Sequence, residues 1–470
     1  MRAVDKKIFR DLGRMKGQVV AIAAVIGCGI AIFIGWQTTS VSLQNGLDSY
    51  YERQRFADVF TSMNRAPLAI ESRVKDIPGV AAVDLRIVES VTLHIEGLSE
   101  PAVGRLISLP DRGVSKLNGV HLVQGRFPEY GKPGEIVAEE AFVNANGFST
   151  GDSVTAVMNG RMQKLRIVGV GMSPEYLTTL QPGSPFPDDK RFGIFWMRRH
   201  EMETAFDMDG SVNDLAISLH PGASGDEVIL HLDRLLDKYG SLGANDRDRQ
   251  LSHRFISDEL AQLKAMTLIP PSIFLGVAAF LLNVVLRRIL SMQRTQIASL
   301  KAFGYSSLEV GIHYGKMMGL VILGGAVFGC LVGSKMGQGL TNLYVEFYRF
   351  PGTVFQVDWM AYVTGVSLSF IAGFVGVFGA VSQAVKIQPA EAMRPEPPPV
   401  YKLMFFEKWG LHHWMSRSSR MIVREIVRRP LKASLTTLGI AFGCAVVVIG
   451  NFGKDAIDYL VDSACNSARM

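Results

Sequence analysis

Five stretches without any Asp, Glu, Lys or Arg constrain this chain most, because each is long enough to cross a lipid bilayer. The stretches cover residues 17–47, 265–286, 317–334, 359–385 and 433–453. Val, Ile, Leu, Ala, Phe and Gly dominate them, and a spanning helix needs about 20 apolar residues. The pattern predicts five transmembrane helices and excludes a soluble single-domain enzyme.

The segment 37–265, between the first and second predicted spans, has an ordinary soluble composition. It is long enough for a folded domain of its own. Three cysteines lie in apolar spans and the fourth is near the end, so no disulfide framework is expected. The predicted fold class is therefore an α-helical membrane protein with a large mixed α+β extracytoplasmic domain between helices 1 and 2.

Lys and Arg near the predicted spans give the orientation. Residues 1–17, 287–316 and 382–434 together hold 21 Lys and Arg against 7 Asp and Glu, whereas the longer segment 37–265 holds 24 Lys and Arg. This asymmetry predicts that the N-terminus is inside. Because most of the net charge of +6 lies near spans, anionic lipid explains it and no nucleic-acid partner is expected.

The first span could be read as a signal peptide or as an uncleaved anchor. Its apolar region is longer than the roughly 7–15 residues of a signal peptide, and no A-x-A-like cleavage site follows Trp36. We therefore expect an uncleaved signal anchor.

Small residues recur at four-residue spacing in the predicted spans. Such ladders let helix backbones approach closely in lipid, and they indicate either ordinary bundle packing or a sliding or dimerising face. The candidate packing residues are Gly27, Gly325, Gly329, Gly333, Gly439 and Gly443. The span cores contain no charged residue, which disfavours an ion-coupled carrier.

Local signals predict several elements of the external domain. Residues 83–95 and 135–138 read as strands, and Asn159-Gly160 predicts a hairpin between residues 153–158 and 162–170. Ser224 and Glu227 form a capping box that begins a helix, for which Gly240 is the stop signal. A second helix is expected from about Asp258 into span two, with a break at Pro270 and Pro271.

The segment 287–316 predicts an amphipathic helix, a turn and a new helix. Ile289, Leu290, Ile297 and Leu300 can share one apolar face. Gly304 and Tyr305 then break the chain, and Ser306 with Glu309 forms another capping box.

No catalytic constellation was found. The sequence contains no G-x-x-x-x-G-K-[ST] loop and no H-E-x-x-H motif. We expect no enzyme activity, no cofactor and no metal site in this chain.

The approaches to spans one and five are similar. IFRDLGR at residues 8–14 resembles IVREIVR at 422–428, and a Gly-Cys pair follows each within the span. Chance similarity between basic amphipathic segments is one explanation, and duplication is the one we favour. Duplication would make the chain the first half of a two-module protein.

Three stretches carry a family resemblance. They are residues 122–157 with 165–177, the loop LRRILSMQRTQIASLKAFGYSSLEV at 286–310, and KIQPAEAMRPEPP at 386–398. With the arrangement of the spans, they resemble the permease subunits of bacterial ABC transporters of the FtsX/MacB type, the mechanotransmission group that includes lipoprotein-releasing permeases.

The resemblance implies a bacterial inner-membrane permease that transmits ATP-driven motion to its external domain, for export or extraction of an envelope substrate. It implies a separate cytoplasmic ATPase that binds the ATP, a second permease copy or a missing second half, and a periplasmic adaptor. The ATPase-coupling turn would be Lys301, Ala302, Phe303, Gly304 and Tyr305, followed by Glu309. The alternative is a membrane-anchored regulatory or adaptor protein that controls an envelope partner, such as a wall hydrolase, without transport.

The predicted segments follow from the spans and the resemblance together. They are a cytoplasmic N-terminus (1–17), transmembrane helix 1 (18–36), a MacB-like extracytoplasmic domain (37–265), an FtsX-like transmembrane module (266–381) with its cytoplasmic coupling loop (287–316), a cytoplasmic Pro-rich linker (382–434), transmembrane helix 5 (435–452) and an external tail (453–470).

Overall fold

The computed structural model describes residues 3–98, 100–181, 187–348 and 352–385, with scattered residues between 433 and 459. The chain forms two compact units. The helical unit comprises Met1–Thr39, Lys264–Leu340 and Val357–Met470. The α/β unit comprises Ser40–Leu263 and Thr341–Gln356.

Ten α-helices and eleven strands are described. The helices are α1 (Ala3–Arg14), α2 (Lys16–Gln54), α3 (Ile70–Lys75), α4 (Glu140–Asn146), α5 (Arg199–Ala205), α6 (Gly225–Leu236), α7 (Leu251–Met292), α8 (Arg294–Ala302), α9 (Ser307–Tyr348) and α10 (Trp359–Val385). The strands are β1 (Val59–Pro67), β2 (Val80–Arg86), β3 (Val88–His94), β4 (Ala102–Leu109), β5 (His121–Gly125), β6 (Glu135–Glu139), β7 (Ser153–Met158), β8 (Arg161–Met172), β9 (Phe192–Arg198), β10 (Ser211–Leu219) and β11 (Ser241–Asp246).

The α/β unit contains two sheets. The first is antiparallel, in the order β11-β1-β10-β2. The second has the order β5-β8-β6-β9-β4-β3-β7, and β7 also pairs with β8. Six strands of this sheet therefore close into a ring, with parallel pairs β4–β9 and β6–β8.

The predicted hairpin is confirmed, since β7 and β8 pair in antiparallel register with Met158 opposite Arg161. Asn159 and Gly160 both have positive φ, 47° and 75°, as a tight two-residue turn of this kind requires. The predicted start of α6 is also confirmed, because the Ser224 side chain caps the helix by accepting from the backbone N–H of Glu227.

A buried charged cluster joins strands of the first sheet to the turn after β8. Arg86 Nη1 lies 2.5 Å from Glu175 Oε2, and Arg86 Nη2 lies 2.5 Å from Asp214 Oδ1. Asn118 Nδ2 donates to Glu175 Oε2 over 2.7 Å. Although burial opposes its charge, the carboxylates of Asp214 and Glu175 raise the pKa of Arg86 well above its usual value.

Four described helices are long and apolar enough to cross a membrane, namely α2, α7, α9 and α10. The chain is therefore a multi-pass membrane protein. Only scattered residues of the predicted fifth span, 435–452, are described, and the repeat at 422–428 and most of the Pro-rich linker lie outside the described residues.

The predicted break at Pro270 and Pro271 is wrong, because both prolines lie inside the continuous helix α7. This helix begins at Leu251, seven residues before the expected start at Asp258. Each proline removes one backbone hydrogen bond, but membrane helices tolerate this where other groups satisfy the backbone. Ser272 Oγ donates to the carbonyl of Leu268 over 2.7 Å in the same turn.

Candidate functional site

The turn between α8 and α9 is the candidate interaction site. The N–H of Tyr305 donates to the carbonyl of Leu300 over 3.1 Å, and the N–H of Gly304 donates to that of Lys301 over 3.0 Å. This pair of bonds is a Schellman motif, and it places Gly304 in the left-handed region with φ of 93°. The predicted turn therefore exists, and glycine is required there because other residues are strained at this φ.

A capping box begins α9 directly after the turn. Ser306 donates to Glu309 Oε2 from its backbone N at 2.8 Å and from its Oγ at 3.0 Å. In return, the Glu309 N–H donates to Ser306 Oγ over 3.2 Å. These reciprocal bonds satisfy backbone groups at the start of the helix and hold the turn in one conformation.

The turn presents apolar side chains to the outside of the helical unit. Phe303, at the C-cap of α8, has 84% of its surface exposed, and Tyr305 has 40% exposed. Leu308, in the first turn of α9, is also largely exposed. Lys301 is half-buried and Ala302 is exposed in the last turn of α8. An exposed aromatic side chain on an ordered turn is typical of an anchor for a partner protein.

The other face of α8 packs into the core of the helical unit. Ile297 and Ala298 are buried, and Ile297 belongs to the same apolar cluster as Ile289, Leu290 and Tyr314. The predicted single amphipathic helix is wrong, because Ile289 and Leu290 lie at the end of α7 and Ile297 lies in α8. Burial of these three side chains is as predicted, while Leu300 is only half-buried. The turn therefore follows a helix that is packed against the core of the helical unit.

A polar cluster, not predicted from the sequence, joins α1 to the junction between α7 and α8. Gln293 lies between α7 and α8, and its backbone is not helical, with φ of −99° and ψ of 15°. Its Nε2 donates to Asp11 Oδ2 over 3.2 Å, and its Oε1 accepts from Lys7 Nζ at 3.1 Å and from Tyr314 Oη at 2.7 Å. Lys7 and Asp11 also form an ion pair at 3.2 Å.

The sequence does contain a signal for this cluster. Asp11 lies three residues after Ile8 and next to Leu12, on the apolar stripe of an amphipathic helix. Both Ile8 and Asp11 are buried in the structure. A carboxylate on an apolar stripe indicates a buried polar partner, but the sequence does not reveal that the partner is Gln293.

Four of the six candidate packing glycines meet between α2 and α9. A Cβ added to Gly325 would lie 2.7 Å from the Ala23 carbonyl oxygen, and one added to Gly329 would lie 2.7 Å from that of Gly27. At Gly333 the corresponding distance to the Ala31 carbonyl oxygen is 2.9 Å. These distances leave no room for a side chain, so the glycines permit backbone contact between the two helices.

The other two packing glycines are not placed in such a contact. A Cβ added to Gly443 would meet no atom within 4 Å in the part of the chain that the structure describes. Gly439 lies outside the described residues. The packing role of the fifth span therefore stays a prediction.

The fold is that of a multi-pass membrane protein with a large α/β domain, and comparison with known families specifies the class. Residues 269–389 match the family described as FtsX-like permease C-terminal. This stretch contains most of α7, the α8 turn, α9 and α10. This match confirms the FtsX-like part of the resemblance predicted from the sequence.

Three solved structures are similar to part of the chain. The periplasmic region of MacB from Actinobacillus actinomycetemcomitans matches with 12% identity and a TM-score of 0.28, over 43% of this chain and 92% of that one. The extracellular domain of the noncanonic ABC-type transporter YknZ from Gram-positive bacteria matches with 13% identity and a TM-score of 0.26, over 40% of this chain and 98% of that one. A domain of a putative permease protein from Porphyromonas gingivalis matches with 13% identity and a TM-score of 0.24, over 43% of this chain and 96% of that one. No curated protein matches the chain significantly.

Proposed function

We propose that this chain is the permease subunit of a bacterial ABC transporter complex and that a separate cytoplasmic ATPase docks on the turn between α8 and α9. The match of residues 269–389 to an FtsX-like permease domain supports the permease role. ATP is bound by the partner, because the sequence contains no P-loop. The chain itself has no enzyme activity, cofactor or metal in this proposal.

One observation carries the docking proposal, namely the exposure of Phe303 on an ordered turn. A large apolar side chain with 84% of its surface exposed has no role in the packing of its own helix. The Schellman motif that includes it and the capping box after it hold the backbone in one conformation, so little conformational entropy is lost on docking. Phe303 thus has the properties of a preorganised anchor for a hydrophobic groove.

The proposal includes an orientation. Residues 1–17 and the coupling loop 287–316 lie in the cytoplasm, the domain 37–265 lies outside, and the complex sits in the bacterial inner membrane. ATP-driven motion passes from the turn to the external domain for export or extraction of an envelope lipid, lipoprotein, peptide or drug. A second permease copy and a periplasmic adaptor complete the assembly.

Co-purification tests the docking directly. The affinity-tagged full chain is isolated from its native membranes, and the ATPase activity that accompanies it is measured for the wild type, Phe303→Ala and Gly304→Asp. Loss of a buried anchor commonly costs about 2 kcal/mol or more, so we expect most of the associated activity to disappear. Tyr130→Ala is the matched control, because Tyr130 is an exposed aromatic residue of the α/β unit.

Membrane insertion of both variants should be unchanged, since neither side chain is part of the core. If wild-type amounts of ATPase accompany Phe303→Ala and Gly304→Asp, the docking surface lies elsewhere. Residues 386–393, after span four, are then the next segment to test.

A further inference from the structure

Two long helices, α2 and α7, contact each other inside the α/β unit. The C-terminal end of α2 at Gln54 and the N-terminal end of α7 at Leu251 both belong to this unit. The remainder of each helix belongs to the helical unit. A side chain that bridges the two ends therefore controls how firmly the two helices are held together.

His253, in the first turn of α7, is this bridge. Its Nδ1 shares a hydrogen bond of 3.0 Å with Tyr51 Oη of α2, and its Nε2 shares one of 3.2 Å with Ser257 Oγ. The rings of Tyr51 and His253 are also in contact, with centroids 5.6 Å apart. The backbone N–H of His253 donates to Gln250 Oε1 over 2.6 Å and fixes the start of α7.

The two hydroxyls suit a neutral imidazole. A neutral ring has one donor and one acceptor nitrogen, whereas both nitrogens donate in the imidazolium form. One of the two hydroxyls therefore donates to the neutral ring and loses its acceptor when the ring is protonated. Tyr51 is only 8% exposed, and its hydroxyl has no other partner in the part of the chain that the structure describes.

A fixed positive charge lies beside the same rings. The Arg247 guanidinium carbon is 5.0 Å from the centroid of the Phe56 ring and 5.9 Å from that of Tyr51. Arg247 Nη2 donates over 2.7 Å both to Asp58 Oδ1 and to the carbonyl of Phe56. These bonds hold the guanidinium in place, so it repels an imidazolium at position 253.

The acidic groups around His253 are exposed. Asp248 Oδ1 lies 3.6 Å from Nε2, but its side chain is 88% exposed. Asp48, on α2, is exposed as well. On α7, Arg254 and Asp258 face each other at 3.9 Å and are both largely exposed. Water screens these charges, so they offset only part of the repulsion from Arg247.

Burial of the ring and the charge of Arg247 together lower the pKa of His253 from its usual value of 6.5. His253 belongs to the α/β unit and precedes the charge-free stretch 265–286. Because the folded-state pKa is below the unfolded-state value, the stabilisation by neutral His253 is complete above about pH 6.5 and is lost as the pH falls below it.

We propose that His253 is a pH-sensitive switch between α2 and α7. Near neutral pH the imidazole holds the start of α7 against Tyr51, and at mildly acidic pH its protonation breaks this contact and frees the two helix ends. The switch goes beyond the permease proposal, because it requires neither an ATPase nor transport. Failure of one proposal therefore leaves the other unaffected.

The test is hydrogen exchange of the full chain in phosphatidylcholine nanodiscs, measured by mass spectrometry at about pH 7.5 and about pH 5.5. Exchange rates are divided by the intrinsic rate at each pH. We expect the amides of residues 48–54 and 251–258 to lose protection about threefold or more at the acidic pH. The amides of β7, which lie outside this contact, should keep their protection.

His253→Asn provides the first variant, because an asparagine amide can hydrogen-bond near the position of Nδ1 and does not titrate in this range. Protection of both helix ends should then be the same at the two pH values. His231→Asn is the matched control, since His231 is exposed on α6 and bonds only within that helix. It should show the same loss of protection on acidification as the wild type.

Tyr51→Phe removes the hydroxyl and keeps the ring that packs on Phe56. At about pH 7.5 its two helix ends should exchange as fast as those of the wild type at about pH 5.5, and acidification should then change them less. The proposal is overturned if protection in the wild type is the same at both pH values. It is also overturned if either His253→Asn or Tyr51→Phe retains the full pH dependence of the wild type.

Discussion

The side-chain amide of Gln293 donates to the carboxylate of Asp11, with 3.2 Å between Nε2 and Oδ2. This bond connects the N-terminal helix α1 to the interruption between α7 and α8. Because the candidate docking turn lies at the other end of α8, the position of that turn depends on how this junction is held. Asp11 is buried, so its hydrogen bonds contribute more than they would at a surface.

We predict that Gln293→Ala loosens α1. The substitution removes a partner from the Asp11 carboxylate, from Lys7 and from the Tyr314 hydroxyl, and an unsatisfied buried polar group costs about 1–3 kcal/mol. Hydrogen exchange of the α1 amides should become faster, and the melting temperature should fall. Gln296→Ala is the control, since Gln296 lies on the exposed side of α8. Equal exchange rates in the two variants would show that the cluster does not hold α1.

The second prediction concerns helix packing in the helical unit. Gly329→Ala should lower the melting temperature of the purified protein, because its Cβ would lie 2.7 Å from both the Gly27 carbonyl oxygen and Ile30 Cβ. Overpacking of this kind typically costs about 1–3 kcal/mol.

Gly319→Ala is the matched control on the same helix, because a Cβ there would meet no atom within 4 Å among the described residues. Its melting temperature should be equal to or slightly above that of the wild type, since alanine favours the helix over glycine. A loss of stability in Gly319→Ala as large as that in Gly329→Ala would contradict the packing between α2 and α9.

The third prediction is a pH dependence in the α/β unit. Hydrogen bonds from Arg126 lower the pKa of Glu135 from 4.5 to about 2. Since the folded-state pKa lies below the unfolded-state value, the stabilisation is present above about pH 4.5 and is lost as the pH falls toward about 2.

The measurement compares unfolding of the wild type and Glu135→Gln from neutral pH to about pH 3. The wild type should be more stable at neutral pH, and the difference should shrink on acidification. Glu96→Gln, at an exposed position, should show a smaller difference throughout. If the difference in stability between the wild type and Glu135→Gln stays constant over this pH range, the ion pair with Arg126 does not control stability.

The fourth prediction tests the orientation. Single cysteines at Ser115 and Ser299 are introduced into a chain whose native cysteines are replaced, and intact cells are treated with an impermeant thiol reagent. Ser115→Cys should react and Ser299→Cys should react only after the cells are opened. Ser418, which lies outside the described residues, gives a third position that should behave as Ser299 does. Reaction of Ser299→Cys in intact cells would reverse the proposed orientation.

Features that depend on neighbouring residues could be predicted from the sequence. Asn159-Gly160 gives the hairpin, Ser224 with Glu227 begins α6, and Gly304 with the Ser306 capping box places the docking turn. Each of these uses the conformation or hydrogen bonds of residues at most a few positions apart. Local chemistry therefore predicted much of the candidate site.

Features that depend on distant residues could not be predicted in the same way. The segment 83–95, which reads as strand, is divided into two strands after Ile87, because β2 pairs with β10 in one sheet and β3 pairs with β4 in the other. Arg86 forms ion pairs with Glu175 and Asp214, and both of these residues lie far from it in the chain. Proline is disfavoured inside helices, so Pro270 and Pro271 indicate a helix break in the sequence. In the structure, α7 continues through both prolines.

Photocrosslinking at position 303 tests the central claim most directly. A photoreactive phenylalanine analogue replaces Phe303 in the full chain, and a matched protein carries it in place of Tyr130, which is also exposed. After illumination of native membranes, the protein crosslinked at position 303 is identified by mass spectrometry. The account predicts an ATPase with a P-loop at position 303 and none at position 130. The account is contradicted if no ATPase is crosslinked at position 303 in membranes where the ATPase still co-purifies with the chain.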